Sequence, residues 1–335
     1  MRKRSLILER RPKFVTLSDY GQAAKEIDDL LGSLPGVVAV YQLGSVSAPG
    51  ISDIDRIAVV ERSGRFSSVW GRLSASTRYL AMHSPFLVDV ETFVRHRWFA
   101  VPEPLEAVSG TELALEAPPS HQLLRAIAGI EGLVVSRLKL AKQLSIGRVK
   151  VRPFLCALHN LGHDLRLIEV SQAEAPLAWD LTAKILAVRG EWWEMPDHER
   201  DGRVLELVYS APMAIDEALA GYSVAAAESA IATSMRLSAE WKNVTLTNQP
   251  LQDATFGLAN AFSRVSRRAA ELAWRRGRYE LALPTAVVSL LSAAAAGADA
   301  LLAERLAVVR HYRGFLDAQD PGWSRIGFAT VFTRP

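Results

Sequence analysis

The strongest constraint on the fold lies in residues 37–60, VVAVYQLGSVSAPGISDIDRIAVV. Two short apolar runs rich in β-branched residues, VVAVYQL and IDRIAVV, are separated by Gly44-Ser45 and a loop containing Pro49-Gly50. Runs of this length bounded by Gly, Pro and Ser read as strands. Residues 36–60 are therefore expected to form two adjacent strands of a mixed sheet, with Gly44-Ser45 opening the connection. The unusual feature is Asp53 and Asp55, separated only by Ile54. Alternation along a strand puts both carboxylates on one face. Like charges held side by side repel, and a divalent cation relieves that repulsion most simply. Oxygen ligands of this kind suit Mg²⁺, which takes one or two carboxylates together with phosphate oxygens and water. Just upstream, Gly44 permits close backbone approach, while the Ser45 hydroxyl and neighbouring amides can donate to phosphate oxygens.

Around this core the chain changes character near Pro118-Pro119. Before it, helical and extended patterns alternate: a helix from Ser18 to Leu34 with Ser18 as N-cap, the two strands, a helix around Phe66 to Leu80, and a strand FLVDV at 86–90. After it, apolar residues recur at helical spacing, as in Leu123, Leu124, Ile127, Ile130 and Val134, and again from Phe154 to Ile168. The expected fold class is α+β: a small mixed-sheet domain over 1–117, then an α-helical domain over 118–335. Breaks in the helical half are expected at MPDHERDG (195–202), NVTLTNQP (243–250) and DPGW (320–323).

The order helix, strand, Gly44-Ser45, loop, Asp53-Ile54-Asp55 resembles the signature of the DNA polymerase β-like nucleotidyltransferase superfamily. The stretch Pro49-Gly50-Ile51-Ser52-Asp53-Ile54-Asp55 is most similar to its small, single-substrate members. The resemblance covers about the first hundred residues. It implies a transferase that moves a nucleoside monophosphate from a nucleoside triphosphate, ATP by expectation, to an acceptor. Mg²⁺ or Mn²⁺ would be the cofactor, and the released product pyrophosphate. By resemblance, Asp53 and Asp55 hold metal and triphosphate, and Gly44, Ser45 and Ser52 line the nucleotide site. A third carboxylate on a later strand completes the metal site. Asp89 is the preferred residue because it is embedded between Val88 and Val90; Glu91 comes second and His83 a distant third. Arg56 stands where the pattern has an apolar residue, and either pairs with phosphate or snorkels to solvent. A small molecule or a protein hydroxyl is the favoured acceptor, to be selected by the helical domain. A catalytically silent nucleotide-binding or interaction module and an RNA-directed transferase are the alternatives.

Composition limits the remaining possibilities. A chain of 335 residues with 49% hydrophobic and 22% charged residues can bury a sizeable core. A formal charge of +3 permits an anionic partner without requiring nucleic acid. The single cysteine, Cys156, excludes an internal disulfide and points to a cytoplasmic setting. The uncharged stretch from Leu281 to Ala298 contains proline, serines and many alanines, and is expected to be a buried helix and not a membrane span. His159 and His163 lie four apart, which is metal-ligand spacing, but a structural role is favoured because Asn160 stands where a zinc protease has glutamate. The basic run at 264–280 reads as a solvated helix face before an RNA-binding one, and Trp192-Trp193 as core before a base-stacking platform.

Overall fold

The computed structural model describes residues 6–61, 64–95, 98, 105–116, 122–222, 234–236, 244–247 and 279–324. Along the chain these form β1 (Ile7–Glu9), α1 (Leu17–Gly32), β2 (Val37–Leu43), β3 (Asp55–Val60), α2 (Ala75–Ala81), β4 (Phe86–Asp89), α3 (Val90–Val94) and β5 (Leu105–Gly110). Then follow α4 (Gln122–Ile146), β6 (Arg148–Lys150), α5 (Val151–His159), α6 (Leu161–Leu167), α7 (Pro176–Gly190) and α8 (Asp197–Gly221). The last described elements are β7 (Ser234–Arg236), β8 (Val244–Thr247), β9 (Tyr279–Ala282), α9 (Thr285–Ala296) and α10 (Ala300–Asp317). The fold is mixed α and β, with a small mixed sheet accompanied by helices.

Two compact units divide the chain. One comprises Pro12–Leu124 with Glu304–Ala329; the other comprises Met1–Arg11, Arg125–Ala303 and Thr330–Pro335. The division is therefore not a single cut near Pro118-Pro119, because the chain comes back to its first unit after residue 303.

The first unit is built on a four-stranded sheet in the order β4-β3-β2-β5, in which β3 and β4 are parallel and the other pairs antiparallel. The two apolar runs around Gly44-Ser45 are β2 and β3, paired from Val37↔Val60 to Leu43↔Asp55. Ile57, Ala58, Val59 and Val60 have no exposed surface, as befits a strand inside a covered sheet. Helix α1 buries Tyr20, Ala23, Ile27 and Leu31, a stripe at spacings of three and four that faces the core. Its start differs from the expected Ser18. Thr16 is the N-cap, in a capping box where its hydroxyl accepts from the Asp19 amide and the Asp19 carboxylate accepts from the Thr16 amide at 2.6 Å. The helix expected around Phe66 to Leu80 is confined to α2, because Ser74 caps it by accepting from the Thr77 amide.

The second unit carries the helices expected after residue 122. Apolar residues 123–134 lie on α4, and the 154–168 pattern is shared by α5 and α6. Gly132 allows α4 to approach Asp164 so closely that a Cβ there would stand 2.6 Å from its carboxylate. This half is not wholly helical, however. β1 pairs in parallel with β6, and β7-β8-β9 form a three-stranded sheet. The break expected at NVTLTNQP holds strand β8, since Val-Thr-Leu-Thr alternates in β-branched residues and outweighs the flanking turn formers. Within the 281–298 stretch, α9 buries Val287, Val288, Leu290 and Leu291. Among the described residues no single helix is long and apolar enough to cross a membrane.

Candidate metal and nucleotide site

The strand register sets the geometry. Leu43 pairs with Asp55, so the Gly44 turn and the two aspartates lie at the same end of the sheet. Gly44 adopts φ 69°, a left-handed conformation that a residue with a Cβ adopts reluctantly. Its carbonyl accepts from Gln42 Nε2 at 3.1 Å, and Ser45 beyond it is exposed. The loop that follows is tightly closed. Ser52 donates its amide to the Ala48 carbonyl and accepts the Ala48 amide on its hydroxyl at 3.0 Å. Tyr20 of α1 donates its hydroxyl to the Ser52 carbonyl at 2.6 Å and accepts the Gly50 amide. Ser52, expected in the nucleotide site, is thus buried inside its own turn. Its contribution is to hold the backbone that leads to Asp53.

Asp55 begins β3, and Asp53 lies two residues before it, on the loop and not on the strand. The Ile54 amide donates to Leu80 at the end of α2, so the aspartates are tied to the helix as well as to the sheet. Past α2, Met82 adopts φ 60° and turns the chain sharply into His83. The His83 ring packs against Phe86 with centroids 5.0 Å apart. Its Nδ1 lies 2.8 Å from the Ser84 carbonyl, which can only accept, so Nδ1 carries a proton and Nε2 is directed at the aspartates.

Asp53, Asp55 and His83 are brought together with their ligand atoms all within 4.8 Å of one another. Nε2 of His83 stands 2.9 Å from Oδ1 of Asp55. That oxygen is shut off from solvent, and no well-aligned hydrogen bond reaches it. A buried carboxylate oxygen left in this state is costly unless a further positive group meets it. Burial disfavours the charged form of His83, but Asp55, the Ser84 carbonyl and Asp53 together outweigh it and push the ring up to about 9. Without a cation the imidazolium therefore balances the two carboxylates. A divalent ion taking Nε2 displaces that proton. The donor set, two carboxylates and an oriented imidazole, fits such an ion.

The structure does not bring Asp89 into this group. β3 and β4 run parallel with Ile57 beside Phe86 and Val60 beside Asp89, so the level of Asp55 corresponds to residue 84. Asp89 lies five residues further along, about 16 Å at the usual strand rise. It ends β4 and caps α3, accepting from the Thr92 amide at 2.8 Å and the Thr92 hydroxyl at 3.1 Å. Fully buried, it also pairs with His311 Nε2 of α10 at 3.2 Å. Glu91 is on α3 and not on a strand; with Arg95 and His311 it lines a separate cleft of about 270 Å³.

Arg56 meets neither of its expected fates. It is buried and forms a fork with Asp28 of α1 at 2.7 and 3.2 Å, with a third bond to Gln42 Oε1. Since Gln42 also holds the Gly44 carbonyl, α1, β3 and the Gly44 turn form one polar network.

Comparison with protein-family models, with curated proteins and with solved structures returns no match.

The other motifs do not join this group. His159 ends α5 and His163 lies on α6, so the break at Asn160 separates them, and neither joins a convergent group of metal ligands among the described residues. Burial and the Arg166 charge hold His163 below its ordinary range. Trp192 is buried and Trp193 half-buried, and the Arg200 guanidinium lies 5.6 Å from the ring centres of both. The basic run at 264–280 falls outside the described residues except for Tyr279 and Glu280.

Proposed function

We propose that this chain binds a nucleoside triphosphate through a divalent cation at Asp53, Asp55 and His83, and transfers its nucleoside monophosphate to an acceptor. The carrying observation is the convergence of two carboxylates and an oriented imidazole at the sheet end where the Gly44 turn lies. In this reading Asp53 and Asp55 bind the cation, and the backbone around Gly44 and Ser45 receives phosphate oxygens. A cation held there would supply charge neutralisation on the triphosphate for in-line attack of the acceptor at the α-phosphorus, with pyrophosphate leaving. The Arg56–Asp28–Gln42 network keeps the turn and the aspartates in register. ATP is the expected donor, and a small molecule or protein hydroxyl the expected acceptor.

One observation favours a second reading, nucleotide binding without transfer. Asp89 is committed to capping α3, and among the described residues no third carboxylate joins the pair to receive the acceptor's proton. The same experiment separates the two. Nucleotide affinity is measured by calorimetry with and without Mg²⁺ or Mn²⁺, and α-labelled nucleoside triphosphates are incubated with the protein and a cell extract. Cation-dependent binding that Asp53→Asn and Asp55→Asn abolish, together with a labelled acceptor, supports transfer. Such binding without a labelled product supports the silent module. Absence of cation-dependent nucleotide binding in the wild type overturns both.

A further inference from the structure

Three carboxylates would make a site for a hard ion; here the third position is an imidazole, and that changes which ion the site prefers. We infer that the cation held by Asp53, Asp55 and His83 is a first-row transition-metal ion such as Mn²⁺ or Co²⁺ in preference to Mg²⁺. The inference deepens the reading above, resting on it for the place of the cation but not for the nucleotide.

Three features of the chain support it. Nitrogen ligands are favoured by first-row transition ions, whereas Mg²⁺ selects oxygen and surrenders its water reluctantly. The ring is held for ligation: the Ser84 carbonyl takes Nδ1–H at 2.8 Å, the backbone-carbonyl partner that metal-bound histidines characteristically have. Phe86 packs against one side of the ring, and the Met82 turn fixes where it leaves the backbone, so Nε2 reaches the cluster with little freedom left to lose. Second, Oδ1 of Asp55 is buried without a hydrogen-bond donor although Nε2 is 2.9 Å away. Oxygen and nitrogen so placed are poorly arranged to bond each other and well arranged to share a third partner. Third, the register places no other carboxylate at this level of β4, since Asp89 and Glu91 are at its far end. An all-oxygen set from these strands is thus limited to two protein carboxylates.

The test uses the full chain, stripped of metal, with no nucleotide present. Mg²⁺, Mn²⁺ and Co²⁺ are titrated separately by calorimetry, and the Mn²⁺ complex is examined by pulsed electron paramagnetic resonance for coupling to a nitrogen nucleus. The expected result is affinity for Mn²⁺ and Co²⁺ at least tenfold above that for Mg²⁺, with nitrogen coupling present. His83→Asp should narrow the preference for Mn²⁺ over Mg²⁺ to within about threefold and remove the coupling, because it creates an all-oxygen set, which suits both of these ions. Equal affinities in the wild type, or bound Mn²⁺ without nitrogen coupling, overturn the inference. Should His83→Asp not fold, as judged by its melting curve, the wild-type spectrum alone decides. Adding ATP afterwards separates the two proposals. Transition-ion selectivity without nucleotide binding would overturn the functional reading and leave this one standing, and nucleotide binding supported best by Mg²⁺ would do the reverse.

Discussion

Asp89 illustrates how a single residue's neighbours decide its role. Embedded between valines, it resembles a strand carboxylate facing a site, but the spacing Asp89-Val90-Glu91-Thr92 is also that of a helix cap, and the cap is what forms. Direction was the missing information. In a parallel pair the neighbour of a residue at the start of one strand lies at the start of the other, which points to His83 and away from Asp89. The closeness of Asp53 and Asp55, by contrast, is legible from their spacing, although only Asp55 lies on the strand that alternation requires for both. Function and stability should therefore separate by residue. Asp89→Asn is expected to lower stability by about 1–3 kcal/mol, because a fully buried carboxylate loses its charge-assisted partner His311. Asp53→Asn, at a half-buried position beside a second carboxylate, should change stability by less than about 0.5 kcal/mol. Urea denaturation of both variants checks this, and a loss in Asp53→Asn equal to that in Asp89→Asn would contradict it.

Among the elements, α1 is readable because its apolar stripe keeps one period from Tyr20 to Leu31, whereas α2 is shorter than its sequence pattern suggests. Phe66, Val69 and Leu73 are buried and mimic a helical repeat, but they sit on a loop and a short 3-10 turn that end where Ser74 starts α2. What holds that start is a residue far away in sequence. Glu26 of α1 accepts from the Ser74 amide at 2.6 Å, from the Ser74 hydroxyl at 2.8 Å and from the Thr77 hydroxyl. The Thr77 bond draws the Glu26 carboxyl below its ordinary value of 4.5, against the effect of burial and with help from Ser74 and Arg78. The folded chain thus binds this proton more weakly than the unfolded one. The resulting stabilisation is full above about pH 4.5 and disappears as pH falls through the lowered folded value. Glu26→Gln should cost about 1–2 kcal/mol at neutral pH. The gap between variant and wild type should close on acidification, as denaturant midpoints measured from pH 7 down to pH 3 would show. A gap independent of pH would mean that the charge of Glu26 contributes nothing.

For the molecule as a whole, the change from alternating to helical pattern after Pro118-Pro119 is plain in the sequence, but the return of the chain is not, since periodicity reports local structure and carries no information on distant partners. Residues 315–324 are fastened to the loop before α2 by a series of specific bonds. Gln319 Oε1 accepts the Phe66 amide, Asp320 takes the Ser67 hydroxyl and pairs with Arg65, and Trp323 Nε1 donates to the Phe66 carbonyl at 2.9 Å. Ser324 then bridges to Phe86 at the start of β4. Trp323→Ala should cost about 3–5 kcal/mol. It should do so by loosening the sheet-bearing unit, observable as raised amide exchange in β3 and β4; unchanged exchange there would refute the fastening. The same closure bears on how the protein is made. A ribosome delivers the sheet strands early, yet the segment that completes their unit emerges only after residues 125–303, an interval of about ten to forty seconds at ordinary elongation rates. Throughout that interval the nascent strands lack their closing segment, so the newborn chain is most exposed to aggregation, and most in need of chaperones, until residues 304–324 have left the exit tunnel.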